Sequence, residues 1–221
     1  MKVLVVAPHA DDEVIGVGGT MYKHRQNGDA VFVLTVTKGD ASVYSEEYAE
    51  ECLLQQKKAN EVLDTCHIEH LRLPSPCLNI VPYGELVESI QKSIEAVRPD
   101  VVYIPHYGDM HFEHKLVAEC CMVALRPKKF VEVEILGYEV PSETGWDVPC
   151  QQKEFIPNVY VRLEEEEMKK KIDALNEFKL QMNKYPHPRS IEAIESLAKY
   201  RGSTVGTEYA EAFMLIRKQR S

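Results

Sequence analysis

Residues Val3 to Ala7 form an apolar run with no polar interruption, and the chain then passes at once into Pro8-His9-Ala10-Asp11-Asp12-Glu13. A strand with one wet face alternates apolar and polar residues. An unbroken run fits a strand covered on both faces, as in parallel sheets flanked by helices. In open α/β sheets the crevice beyond the carboxyl ends of the strands is where ligands bind. His9, Asp11 and Asp12 are therefore expected in a pocket, where ionised carboxylates are tolerated only if something positive answers them.

The rest of the first half supports that sheet. Strands are expected at Ala30 to Thr37, His67 to Leu73 and Val101 to Pro105, with intervening segments long enough for crossover helices. The helices predicted there are Glu13 to Gln26, stopped at Asn27-Gly28, then Glu46 to Asp64, then Tyr83 to Arg98, whose Leu86, Ile90, Ile94 and Val97 share one face ahead of Pro99. Such a βαβ series implies an α/β fold: a doubly wound, Rossmann-like, mainly parallel sheet with helices on both faces. Beyond Leu125, strands at Val131 to Tyr138 and Asn158 to Leu163 are separated by Glu139 to Pro157, long enough to be read as a candidate lid. A helix over Glu164 to Asn183, with Met168, Ile172, Leu175 and Met182 in one stripe, and a shorter one over Ile191 to Tyr200 complete the expectation of a single domain spanning residues 1–221. Gly16, Gly18 and Gly19 lack the GxGxxG spacing of a phosphate loop and fit close packing of the first helix on the sheet.

A second strand end carries chemistry. After the apolar Val101 to Ile104 comes Pro105 to Leu116, PHYGDMHFEHKL, with three of the eight histidines. His111 and His114 stand i, i+3, so they share one face of a helix that starts there. Either strand end alone is explained as well by helix capping or a hydrogen-bonded histidine. Together they bring imidazole and carboxylate donors, without thiolate, to one edge of the sheet, and borderline divalent metals such as zinc accept that set. His24, His67, His70 and His187 lack such company and read as structural.

The patterns APHADDExxGxGGT and PHxxDxHxEH resemble the PIG-L or LmbE-like family of zinc-dependent deacetylases, which act on N-acetylglucosamine-containing substrates. Ile194 to Phe213, with Arg201, Gly202 and Tyr209 to Phe213, is similar to that family's closing segment. The resemblance implies one Zn2+ per chain held by His9, Asp12 and His114, with Asp11 as general base and His111, if protonated, stabilising the oxyanion. Glu113, where many members carry Asp, and Asp109 become candidates to orient a histidine, and Tyr107 one to approach the oxyanion. In the helix after the second strand, Cys52 and Gln55 of CLLQQKKA stand at the Arg and Glu positions of the family's RxxExxxA pattern. The implied partner is a small-molecule acetylated amino sugar or its conjugate, with a homo-oligomer an expectation from the family.

Rival classes fit less well. A magnesium-dependent phosphohydrolase accounts for an acidic pair after the first strand, but histidines are poor magnesium ligands and a DxD spacing is missing. A receiver-like signalling module needs an acceptor Asp at the end of the third strand, where Pro74-Ser75-Pro76 stands instead. The formal net charge of -9 and the lack of a Lys/Arg stripe argue against nucleic acid. No apolar run reaches the ~18 residues of a membrane span, so no membrane insertion is expected. With no export signal in view, the expected location is cytoplasmic, and the six cysteines, which show no CxxC spacing, read as reduced thiols.

Overall fold

The computed structural model of the chain describes residues 1–128, 130–146, 148 and 150–219. Its strands are β1 (Lys2–Ala7), β2 (Ala30–Gly39), β3 (His67–Ser75), β4 (Val101–Pro105), β5 (Glu134–Tyr138), β6 (Val159–Leu163) and β7 (Tyr209–Arg217), in one sheet of order β3-β2-β1-β4-β5-β7-β6. β1 to β5 pair in parallel, and β7 runs antiparallel to both β5 and β6. The chain leaves β1 outward to β2 and β3, then returns to lay β4 against the other side of β1. The β1/β4 boundary is therefore the topological switch point, where helices depart to opposite faces and a crevice opens.

The helices are α1 (Asp12–Gln26), α2 (Glu46–Val62), α3 (Tyr83–Val97), α4 (Phe112–Ala124), the single turn α5 (Pro141–Thr144), α6 (Glu165–Leu175) and α7 (Ile191–Ser203). The period of two in β1 splits its side chains between two cores. Val3 and Val5 pack with Val17, Ala59, Leu175 and Ile194 under α1, α2, α6 and α7, while Leu4 and Val6 pack with Leu86, Ile90, Val117 and Cys121 under α3 and α4. All six cysteines are free thiols. No helix among the described residues is long and apolar enough to cross a membrane.

The structure differs from the sequence reading in three places. β7 has no counterpart among the expected strands, although Ala210 to Ile216 is almost wholly apolar; four successive residues, Ala210 to Phe213, are buried, so both faces are covered and no alternation marks that stretch. The helix expected to run from Glu164 to Asn183 ends at Leu175, because Phe178 turns into the core and the backbone N–H of Leu180 donates to Gln55 Oε1 (3.2 Å). The stretch read as a candidate lid contains α5 and is tied down in its described part: His106 Nε2 donates to Lys153 O (2.7 Å) and Tyr107 Oη to Gln152 O (3.2 Å). Asp147 and Pro149 of that stretch lie outside the described residues.

The glycines of α1 do what their spacing implied. A Cβ at Gly16 would come within 2.3 Å of the Tyr138 ring, and one at Gly19 within 2.4 Å of Leu163, so β5 and β6 approach closely only because both are glycine. The same contact is locked by charge. Glu211 of β7 accepts from the N–H groups of Gly19 (3.0 Å) and Thr20 (2.7 Å) and from Lys171 Nζ (2.6 Å), which also donates to Ile15 O (2.7 Å). The closing segment Tyr209 to Phe213 thus ties α1, α6 and β7 together rather than reaching the crevice.

Candidate active site

Both motif-bearing segments leave adjacent strands at the switch point, which brings residues about a hundred positions apart into contact. His9 Nδ1 lies 3.1 Å from Asp12 Oδ2, His114 Nε2 lies 3.2 Å from the same oxygen, and the two ring nitrogens are 3.3 Å apart. Zinc–ligand distances of ~2.0–2.1 Å place tetrahedral donors ~3.3 Å apart, so this triangle has the size of one face of such a site. His9, Asp12 and His114 each offer one donor atom to it.

Each histidine turns its other nitrogen to a buried carboxylate. His9 Nε2 donates to Glu113 Oε2 (2.7 Å), and His114 Nδ1 donates to Asp109 Oδ2 (2.8 Å). These partners fix ring orientation and tautomer and leave the inward nitrogens as acceptors for a cation. Both carboxylates are themselves held: Glu113 accepts from Ser75 Oγ (2.7 Å) and the N–H of Leu78 (3.0 Å), and Asp109 accepts from Thr144 Oγ1 (2.6 Å). Thus Glu113 orients the opposite segment's histidine, Asp109 its own, and α5 of the supposed lid braces the site from behind.

Asp11 and Asp12 point different ways because the backbone turns sharply between them. Asp11 sits at φ 150°, ψ -27°, a conformation costly for any residue with a Cβ. It precedes α1 yet its side chain makes no capping bond. Its Oδ2 instead accepts from Arg189 Nη1 at 2.7 Å, while Oδ1 is buried without a hydrogen-bond partner, as is Asp12 Oδ1. Buried carboxylate oxygens left unpaired are costly, and a cation or a bound reactant answers that deficit.

Arg189 is the residue that sequence reading missed. It lies between the last two helices, its Nε donates to Ser142 Oγ (2.8 Å), and Nη2 lies 3.5 Å from Glu143. No periodicity marks it, and only the run Pro186-His187-Pro188-Arg189 signals a rigid loop.

The electrostatics follow from burial and these pairings. Burial disfavours the His9 and His114 cations, but in the absence of an ion their carboxylate partners outweigh it, raising His9 to about 9 and His114 to about 10. Asp12 is held well below the usual carboxylate range, the two imidazoles overcoming its burial. Burial pushes Asp11 up to about 6 against the pull of Arg189. Burial and the two neighbouring cations lower His111 to about 4, which favours a neutral ring over the imidazolium considered from sequence. Its Nδ1 accepts from the N–H of Glu113 (3.3 Å), capping α4, which leaves Nε2 as the N–H donor.

The remaining candidates divide. Cys52 lines the crevice; Gln55 is buried beside it, with Nε2 donating to Glu51 (2.9 Å). Tyr107 stands apart, half exposed and packed on His106 (ring centroids 4.7 Å). His24 and His70 are structural, bonded to Asp29 (2.7 Å) and Gln56 (2.9 Å) respectively.

Fold and site together define a doubly wound α/β protein with a His/Asp/His triangle at its switch point, of a size that could hold a metal ion, and a carboxylate beside it. The chain belongs to the PIG-L family: the model described as GlcNAc-PI de-N-acetylase matches residues 4–125, which contain the triangle. It is 26% identical over 182 residues to an uncharacterized deacetylase, YaiS, of Escherichia coli K12, covering 80% of this chain and 90% of that protein. It is 34% identical over 110 residues to the diacetylchitobiose deacetylase of Thermococcus kodakarensis, covering 47% of this chain and 40% of that one. Among solved structures, the conserved protein TT1542 of Thermus thermophilus superposes with a TM-score of 0.79 at 23% identity, over 99% of this chain and 96% of the other.

Proposed function

We propose that this protein removes the N-acetyl group of an N-acetylglucosamine-type sugar or its conjugate, releasing acetate and the free amine, with zinc as the metal. The observation that carries this reading is the pairing of a closed His9/Asp12/His114 triangle with an adjacent carboxylate, Asp11, turned away from it. The family description and the deacetylase names of the relatives support the same chemistry. Two imidazole nitrogens among three donors suit zinc and disfavour the magnesium that the phosphohydrolase alternative requires.

A zinc ion held by His9, Asp12 and His114 supplies Lewis acidity, polarising the acetamide carbonyl and bringing water's pKa towards ~7. The chain's own residues do the rest. Asp11, ionised at neutral pH and aimed by Arg189, takes a proton from the attacking water. His111, as neutral imidazole, donates its Nε2–H to the oxygen of the amide as negative charge develops there. Asp11 then returns the proton to the departing nitrogen, so that water is divided between acetate and amine.

The test is acetate release from N-acetylglucosamine and its conjugates by protein loaded with zinc and by the same protein after chelation. About one zinc per chain and zinc-restored turnover are expected. Magnesium as the bound metal, or turnover indifferent to chelation, overturns the reading.

A further inference from the structure

The cleft above His9 and Asp11, about 210 Å³, has two unlike walls. One is the catalytic wall. The other comes from the segment after β2 and the start of α2, and includes Tyr44, Tyr48, Cys52 and Leu53. The Tyr44 and Tyr48 rings stack with centroids 5.4 Å apart and planes 13° apart, and each remains 38% exposed. Both line the cleft, so the pair gives it an aromatic wall.

That surface is held in place. Lys38 Nζ donates to Glu46 (2.5 Å) and Glu50 (2.6 Å), joining the end of β2 to the first turns of α2. Arg72 donates to the same Glu50 (2.7 Å). A Cβ at Gly39 would come within 3.0 Å of the Tyr44 ring, so glycine leaves that ring its place. A wall fixed before binding loses little freedom when a ligand ring settles on it.

Among the described residues lining the cleft, the permanent cations are Lys38 and Arg189, and both are committed: Lys38 to Glu46 and Glu50, Arg189 to Asp11. Glu46 and Glu50 stand outside that lining, and Lys38 and Arg72 balance their charges. An incoming phosphate or carboxylate meets no uncommitted permanent cation among those residues, whereas an uncharged ring finds an aromatic face.

We propose that the Tyr44–Tyr48 wall is a binding subsite for an uncharged ring attached to the acetylated sugar, a second pyranose or an aryl group, and that the cleft gives an anionic conjugate no matching gain. This rests on the deacetylase reading for the bond that is cut, but not for the preference itself. The probes are N-acetylglucosamine, its β-linked disaccharide, its 4-nitrophenyl β-glycoside and its 1-phosphate.

With zinc-loaded protein, kcat/KM measured by acetate release is expected to be on the order of tenfold higher for the disaccharide or the glycoside than for the free sugar, the scale of one aromatic contact. The 1-phosphate is expected at or below the free sugar. A gain with the disaccharide alone assigns the wall to a pyranose; a gain with the glycoside alone assigns it to an aryl group. Tyr48→Ala should collapse that gain through KM, Tyr48→Phe should keep it, and Cys52→Arg should raise the 1-phosphate relative to the neutral probes. Equal kcat/KM for all four probes, or a gain that survives Tyr48→Ala, overturns the subsite. Calorimetric binding of the same probes to zinc-loaded Asp11→Asn separates the two ideas. No acetate from any probe with the ring preference intact in binding sinks the deacetylase reading alone, and acetate from all with equal affinities sinks the subsite alone.

Discussion

Lys171 and Glu211 are almost wholly buried, and so are Asp11, Asp12 and His114, yet the two clusters are built to opposite ends. At Glu211 both oxygens are taken, by two backbone N–H groups and an ammonium, and Lys171 also reaches a helix carbonyl. The cluster is closed and neutral, and it braces α1, α6 and β7. At the switch point the far nitrogens of the histidines are closed by Glu113 and Asp109, but the near nitrogens converge and two carboxylate oxygens have no hydrogen-bond partner. What marks a functional cluster here is not burial of charge but where the satisfaction stops.

Breaking the open cluster has the larger consequences. His114→Ala or Asp12→Ala should reduce bound zinc from about one per chain to near none and abolish turnover, because the triangle loses a corner. Elemental analysis beside the activity assay reads this directly. Asp11→Ala should instead keep its zinc and lose turnover by roughly 10²–10⁴-fold, the scale of a general base. If Asp11→Ala lost the metal too, the division between the two aspartates would be wrong.

In the closed cluster, Lys171→Met strands a buried carboxylate and should destabilise the fold by about 3–5 kcal/mol in denaturant unfolding. The zinc content of the protein that remains folded should be unchanged; a loss of metal there would join two regions that the geometry separates. Asp109→Ala sits between these cases, since it frees His114 without removing a ligand. Zinc affinity should fall by about 10–100-fold by competition with a chelator.

The smallest effect is one of pH. In chelated protein His9 and His114 have pKa values raised above 6.5, to about 9 and about 10. Their contribution to stability is thus complete below pH 6.5 and lost as pH rises through 9 to 10. The melting temperature of chelated protein should decline over that range, and zinc-loaded protein should decline less, because the ion replaces those protons. Parallel melting curves for the two forms would show that the triangle does not hold the metal.

Much of this was legible in the chain because it is local. Val3 to Ala7 and Val101 to Ile104 announce buried parallel strands by their apolar continuity, and the polar residues directly after them need no long-range information to be placed at strand ends. β7 escaped because its stretch Ala210 to Phe213 is covered on both faces and so carries no alternation. Helix α6 was overextended because Met182 keeps a helical spacing from Leu175 although the chain between them has already turned into the core.

The sequence by itself determined the sheet, its edge and the kind of donors collected there: imidazole and carboxylate, a choice made by residue chemistry and strand-end position. Only the tertiary structure decided which carboxylate answers which histidine, that Asp11 sits on a strained backbone with Oδ1 buried and without a hydrogen-bond partner, and that Arg189, 178 positions away, holds Asp11. Those assignments depend on separations of about 3 Å between segments distant in sequence, set by sheet order and a strained backbone turn, and spacing along a chain does not encode them.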